Sequence, residues 1–144
     1  MVNLTKLKIL SPKDVIFEAF IDPEKMSNYW FSSGSGRLKT GETITWFYKE
    51  YEAEVVIHVV DVEESEKIVF KWGPPNLERT VTISIIEVDQ TTSIVEVMEE
   101  GFHETGDQLL REMVDNKEGW VYMLSCLKVY LEHGINDLRA NIVR

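Results

Sequence analysis

Apolar side chains recur with two different periods along this chain, and the change of period constrains its fold more than any other feature. Between Thr43 and Glu100 the spacing is two: Ile44, Trp46 and Tyr48, then Ile68, Phe70 and Trp72, then Val81, Ile83 and Ile85. Alternation of this kind belongs to strands with one buried face. From Leu109 onward the steps become four, seven and three, through Met113, Trp120, Leu124, Leu127 and Leu131, which marks one face of a helix. Turn-forming segments at Gly34-Ser35-Gly36, Gly41-Glu42, Glu63–Glu66, Gly73-Pro74-Pro75-Asn76 and Asp89–Thr92 punctuate the first region. Between the first two there is room for a short strand at most. Strands this close in sequence pair as an antiparallel meander. The apolar face of such a sheet needs a cover, and only the late helix is long enough to provide it.

The flanking segments complete the order. Val2–Leu10 reads as a strand. Ser11-Pro12-Lys13-Asp14 predicts a helix start, with Ser11 as cap and Pro12 in the first turn, ahead of an apolar stripe at Val15, Ile16, Ala19 and Phe20. Asp22-Pro23-Glu24 repeats that grammar, so a second short helix carries Met26 toward Tyr29 and Trp30, at an angle imposed by Pro23. Thr105 and Gln108 have capping-box spacing, and Gly134 suits the end of the long helix. Asn116 and Gly119 predict a kink or break in it. Residues 135–144 form a tail in which Ile135, Leu138 and Ile142 keep helical spacing, and which either docks or frays. The expectation is one α+β domain over 1–144. A curved antiparallel sheet of six or seven strands is wrapped on a long C-terminal helix, with two short helices after the first strand.

Charge narrows the function. Among 144 residues, 25 are acidic and 15 basic, a formal net charge of −10. A phosphate backbone or an anionic membrane is repelled by such a field, and the longest basic cluster is Lys6–Lys8. No nucleic-acid or membrane partner is expected. No apolar run approaches the length of a membrane span, and Lys6 and Lys8 interrupt the N-terminus where a leader would be apolar. A single cysteine, Cys126, excludes an internal disulfide. The expected setting is the cytoplasm.

Little in the sequence points to catalysis. His58, His103 and His133 have no metal-binding spacing, and neither a nucleophile signature nor a phosphate-binding glycine loop is present. No catalytic residue, metal or cofactor is expected. Cys126 falls off the helix stripe and reads as structural. The aromatic residues Trp30, Trp46, Tyr48, Phe70, Trp72 and Trp120 fall on faces that point inward, together with Leu124 on the helix. They are either plain core packing or the wall of an apolar pocket. Glu99 shares the parity of Val95 and Val97 near a strand end, so it either faces the core at a cavity mouth or is solvated in the acidic run with Glu100 and Glu104.

The segment EGWVYMLSCLKVYLEHG (Glu118–Gly134) resembles the terminal-helix signature of homologues of the activator of heat-shock-protein-90 ATPase. FEAFIDPEKMSNYW (Phe17–Trp30), KIVFKW (Lys67–Trp72) and EEGF (Glu99–Phe102) support the resemblance in the right order, so that it covers essentially the whole chain. That family belongs to the START-like, or SRPBCC, superfamily, whose helix-grip (Bet v-like) fold matches the order read from periodicity. The resemblance implies a cavity between helix and sheet that takes a small hydrophobic molecule. It also implies two rivals. One is a chaperone-interacting module, although the eukaryotic namesake uses an additional N-terminal domain for which this chain has no room. The other is an enzyme of polyketide cyclase or dehydratase type, for which no residues of this chain can be matched. Oligomeric state and the identity of a ligand are not implied.

Overall fold

A computed structural model describes residues 1–143. Strand β1 (Val2–Ile9) leads into α1 (Lys13–Ile21) and α2 (Pro23–Met26). Then come β2 (Ser33–Gly34), β3 (Thr43–Tyr48), β4 (Ala53–Glu63), β5 (Lys67–Trp72), β6 (Arg79–Asp89) and β7 (Thr92–Glu100), followed by α3 (Gly106–His133). The strands form one curved antiparallel sheet in the order β1-β7-β6-β5-β4-β3-β2, gripping α3. This is the α+β architecture that the two periods predict.

Alternation decides which side chains meet α3. Val81, Ile83 and Ile85 of β6 are buried, and so are Val95, Val97 and Glu99 of β7. From α3 they receive Trp120, Met123, Leu124, Cys126 and Leu127, while α1 closes one end with Ile16, Ala19 and Phe20. Each fully buried aliphatic side chain contributes about 1.5–3 kcal/mol, which makes this interface the main source of stability. The edge strand β1 is not left open. Asn3 donates to the Met113 carbonyl at 2.9 Å, the Lys117 and Lys128 ammonium groups reach the Leu4 and Lys8 carbonyls, and the Leu10 N–H donates to Glu132 at 2.8 Å. At the other edge β2 is only 2 residues long. Both are devices that block edge-to-edge pairing.

Several local expectations are corrected. Helix α1 begins at Lys13 with Pro12 at its cap and no side-chain capping bond. The bonds of Ser11 run through its backbone: its N–H bonds the Ile9 carbonyl and its own carbonyl accepts from Ser93. At α2 the predicted grammar holds, with Asp22 extended before Pro23 and accepting from the Glu24 N–H at 2.9 Å. Thr105 caps α3 by position but makes no side-chain bond, because Gly106 enters the helix at φ +59. No break interrupts α3 over its 28 residues. Asn116 binds side chains of the sheet instead of competing for its own backbone. No strand lies between Gly36 and Gly41, while the pairing with β3 falls earlier, at Ser33–Gly34. The tail docks through a 3₁₀ turn at Leu138–Ala140. The Tyr48 hydroxyl donates to the Arg139 carbonyl at 2.7 Å and the Tyr122 hydroxyl to that of Leu138.

Candidate functional site

Five of the inward aromatic residues close into a ring. Trp30 meets Trp46 at 4.9 Å between ring centroids, Trp46 meets Phe70 at 5.4 Å, and Phe70 meets Trp72 at 5.2 Å. Trp72 then stacks on Trp120 at 5.6 Å, and Trp120 returns to Trp30 at 5.5 Å. These spacings are those of favourable aromatic pairs. Trp46, Phe70, Trp120 and Leu124 are buried, while Trp30 and Trp72 are partly exposed. Tyr48 stands outside the ring, against Phe31 at 5.9 Å.

Glu99 fixes this ring from one side and is fully buried. Its Oε1 accepts from the Trp120 indole at 3.0 Å and from the Asn116 amide at 2.9 Å, and its Oε2 accepts from the Trp72 indole at 3.2 Å. Arg79 stands 3.7 Å from Oε2. Every partner is a donor, as an acceptor-only carboxylate requires. The core-facing reading of Glu99 therefore holds and the solvated one does not. Asn116 is itself oriented, since its Oδ1 accepts from Asn3 at 3.0 Å.

Arg79 links this interior to the surface. Its guanidinium bonds Glu104 at 2.8 Å and Glu112 at 3.3 Å, and lies 4.1 Å from the centre of the Phe102 ring. Gly101 permits that corner: it sits at φ +97, and a Cβ there would stand 3.2 Å from the Glu78 carbonyl. The Glu104 side chain is 7% exposed, and its Oε2 is buried with no hydrogen-bond partner. Its own backbone N–H and the nearby Arg79 hold its carboxyl below the usual carboxylate range, against the upward pull of burial. Among the described residues no group of three His, Cys, Asp or Glu side chains is arranged to hold a metal ion. Where three carboxylates converge, Arg79 occupies the centre.

Two clefts flank the aromatic ring. The first, about 340 Å³, is bordered by Trp30, Tyr48, Tyr51, Tyr122, Met123 and Gly119, and the tail covers it with Arg139 and Ile142. Three of its polar side chains are spent: Tyr48 and Tyr122 hold the tail, and Arg139 bonds Glu50 and the Trp30 carbonyl. The second, about 680 Å³, has apolar walls of Phe31, Val55, Trp72, Pro74 and Leu77 and a polar end of Arg79, His103 and Glu104. Of the residues singled out in the sequence, Trp30 and Tyr48 border the first cleft and Trp72 the second. Trp46, Phe70, Glu99, Trp120 and Leu124 border neither; they are buried between sheet and helix, where the resemblance implied a cavity. Sequence reasoning missed Arg79, Phe31, Val55 and Leu77, and took His103 only as a histidine without metal-binding spacing and Glu104 only as part of an acidic run. Asn116 was noticed, but only as a poor helix former. A polar residue in the middle of an amphipathic helix was the available signal for it.

Comparison with known proteins adds the following. Residues 11–132 match the family model described as Activator of Hsp90 ATPase homolog 1-like protein. No curated protein sequence matches. Among solved structures, the protein SSP2350 from Staphylococcus saprophyticus is 42% identical, with 94% of this chain and 95% of that one covered and a TM-score of 0.82. The Aha1 dimer from Colwellia psychrerythraea is 17% identical, covering 93% and 98%, at TM-score 0.79. PFC0360w, described as an HSP90 activator from Plasmodium falciparum, is 20% identical, covering 91% and 96%, at TM-score 0.72. The last two likenesses are of fold. No described helix is long and apolar enough to cross a membrane.

Proposed function

The chain belongs to the family of activator of Hsp90 ATPase homolog 1-like proteins, and from that premise we propose that it is a binding protein for a small, largely apolar molecule. One observation supports this above the others. The cleft of about 680 Å³ beside Trp72 combines apolar walls with a few converging polar groups, the composition of small-molecule sites. The ligand lies against Trp72, Phe31 and Leu77. Glu99 holds the Trp72 ring through its indole N–H, so the wall is formed before the ligand arrives, which lowers the ordering cost of binding. With one unpaired cysteine and a strongly acidic surface, the cytoplasm is the setting we assign.

The family also suggests a chaperone partner, which calls for an apolar docking face. On the outer side of the sheet, Leu4, Met98, Thr82 and Val69 line up across four strands. That row is a single residue wide. Lys6, Glu96, Ser84 and Lys67 flank it on one side, and Val2, Glu100, Thr80 and Lys71 on the other. A second apolar row, Ile94 and Ile86, lies on the same face beyond Glu96 and Ser84, which separate it from the first, so the face is broken by polar side chains and the ligand reading is preferred. For cyclase or dehydratase chemistry the sequence offers no residues that can be matched, and both oxygens of the buried carboxylate Glu99 are engaged.

The test is native mass spectrometry of freshly purified protein against its denatured mass. A small molecule retained under native conditions and lost with Val55→Trp, which fills the cleft, is the expected result. Retention that survives Val55→Trp would move the site elsewhere. If nothing is retained and tryptophan emission does not respond to fatty acids or polyphenols, the binding reading fails.

A further inference from the structure

The polar end of the second cleft has an unequal charge count. One guanidinium, Arg79, is met by three carboxylates, those of Glu99, Glu104 and Glu112, which leaves two formal negative charges there. Arg79 is also covered by the Phe102 ring, so little of its positive charge is free for an anionic ligand. Glu104 uses Oε1 on Arg79, while Oε2 is buried without a hydrogen-bond partner. A buried carboxylate oxygen lacking a donor is unfavourable, because it has lost water without gaining a partner. Two groups stand next to this carboxyl: the Glu104 backbone N–H, which acts on it, and His103, the adjacent residue at the cleft, which directs Nδ1 at Oε1, 3.6 Å away, and is 45% exposed.

Resting on the reading of this cleft as a ligand site, we infer that its ligand carries a protonated amine at one end of an apolar body, and that Glu104 Oε2 receives the ammonium N–H. The amine supplies the donor that Oε2 lacks and offsets part of the local negative charge, while the body lies along Trp72, Phe31 and Leu77. A carboxylate of the same shape meets Glu104 and Glu112 with like charge. His103 is the exposed side chain that yields as the head group enters. Charge-assisted hydrogen bonds of this type are roughly twice as strong as neutral ones, so the head group dominates selectivity.

Three matched probes test this: 4-phenylbutylamine, 4-phenylbutanol and 4-phenylbutanoate, titrated against full-length protein while the indole N–H resonances of the tryptophans are followed. The expected result is a shift of Trp72, with the amine bound about tenfold more tightly than the alcohol and the carboxylate weakest. Glu104→Gln should bring the amine to within about threefold of the alcohol, because it removes the charge and keeps the shape. Should that variant not fold, Glu112→Gln at the exposed rim serves, with the amine weakened about threefold and the alcohol unchanged. Equal binding of amine and alcohol by the native protein overturns the amine inference and leaves the cleft reading standing. If no probe moves Trp72, the cleft reading falls and the inference falls with it.

Discussion

Trp120, in the middle of α3, donates its indole N–H to Glu99 at the end of β7 over 3.0 Å, in a contact closed to solvent. One bond thus joins the long helix to the sheet at the place where Trp72, Asn116 and Arg79 also converge. The carboxylate, itself on β7, is the common partner of groups from three other elements: Trp72 of β5, Arg79 of β6, and Asn116 and Trp120 of α3.

Removing that acceptor should be costly. Glu99→Leu leaves two indole N–H groups, an amide and a guanidinium without it, and breaking a buried charged network costs about 3–5 kcal/mol. Glu99→Gln keeps one acceptor oxygen and should cost about 1–3 kcal/mol. Urea unfolding followed by tryptophan emission measures both. A loss below about 1 kcal/mol for the leucine variant would show that the donors find other partners.

Acid should release the tail before it unfolds the domain. Arg139 is 7% exposed, bonds Glu50 at 2.8 Å, and by that hydrogen bond chiefly holds the Glu50 carboxyl below its usual range. A carboxyl depressed in the folded state contributes stability above its unfolded value, near 4.3, and that contribution is lost as pH falls through the folded value. The protection of backbone amides at residues 135–143 against hydrogen exchange, taken relative to the intrinsic rate at each pH, should therefore fall below about pH 4, ahead of that of the sheet. Arg139→Met should remove the step by making exchange fast at every pH. A tail that stays protected in that variant refutes the anchor.

Cys126 should be inert in the native protein. Burial, chiefly, pushes its thiol up to about 11, and the residue is 2% exposed. At pH 8 about one molecule in a thousand then carries the thiolate that reacts. Labelling by a disulfide reagent should be slow in buffer and fast in urea. Rapid labelling without denaturant would mean that the tail opens often.

Gly119 offers a stabilising change. It lies inside an unbroken helix and borders the first cleft. Replacing an interior helical glycine with alanine gains about 0.5–1 kcal/mol where the methyl has room. Gly119→Ala should raise the melting temperature. A decrease would show that the wall of the cleft is closed at that point.

Much of the fold was legible because its signals are local. Val81, Ile83 and Ile85 announce a half-buried strand by parity alone, and Asp22-Pro23-Glu24 starts a helix with its own side chains. Where local grammar failed, a distant group had intervened. Asn116 left the helix unbroken because Glu99 and Asn3 use its side chain. The aromatic set was legible as inward-facing, but not as a closed ring with its free volume displaced to two sides.

The sequence by itself determined the order of elements, the buried face of most strands, the long helix that covers the sheet, and the acidic surface. All of these follow from periodicity and composition, which act within a few residues or over the whole chain at once. Only the tertiary structure decided that Arg79, Glu99, Glu104 and Glu112 share one corner, that Trp30 and Trp120 touch, and that open space lies beside Trp72 rather than beneath Trp46. These relationships join residues from different elements, and their distances are set by how side-chain volumes fill the interior, a property of the packed whole that no local pattern encodes.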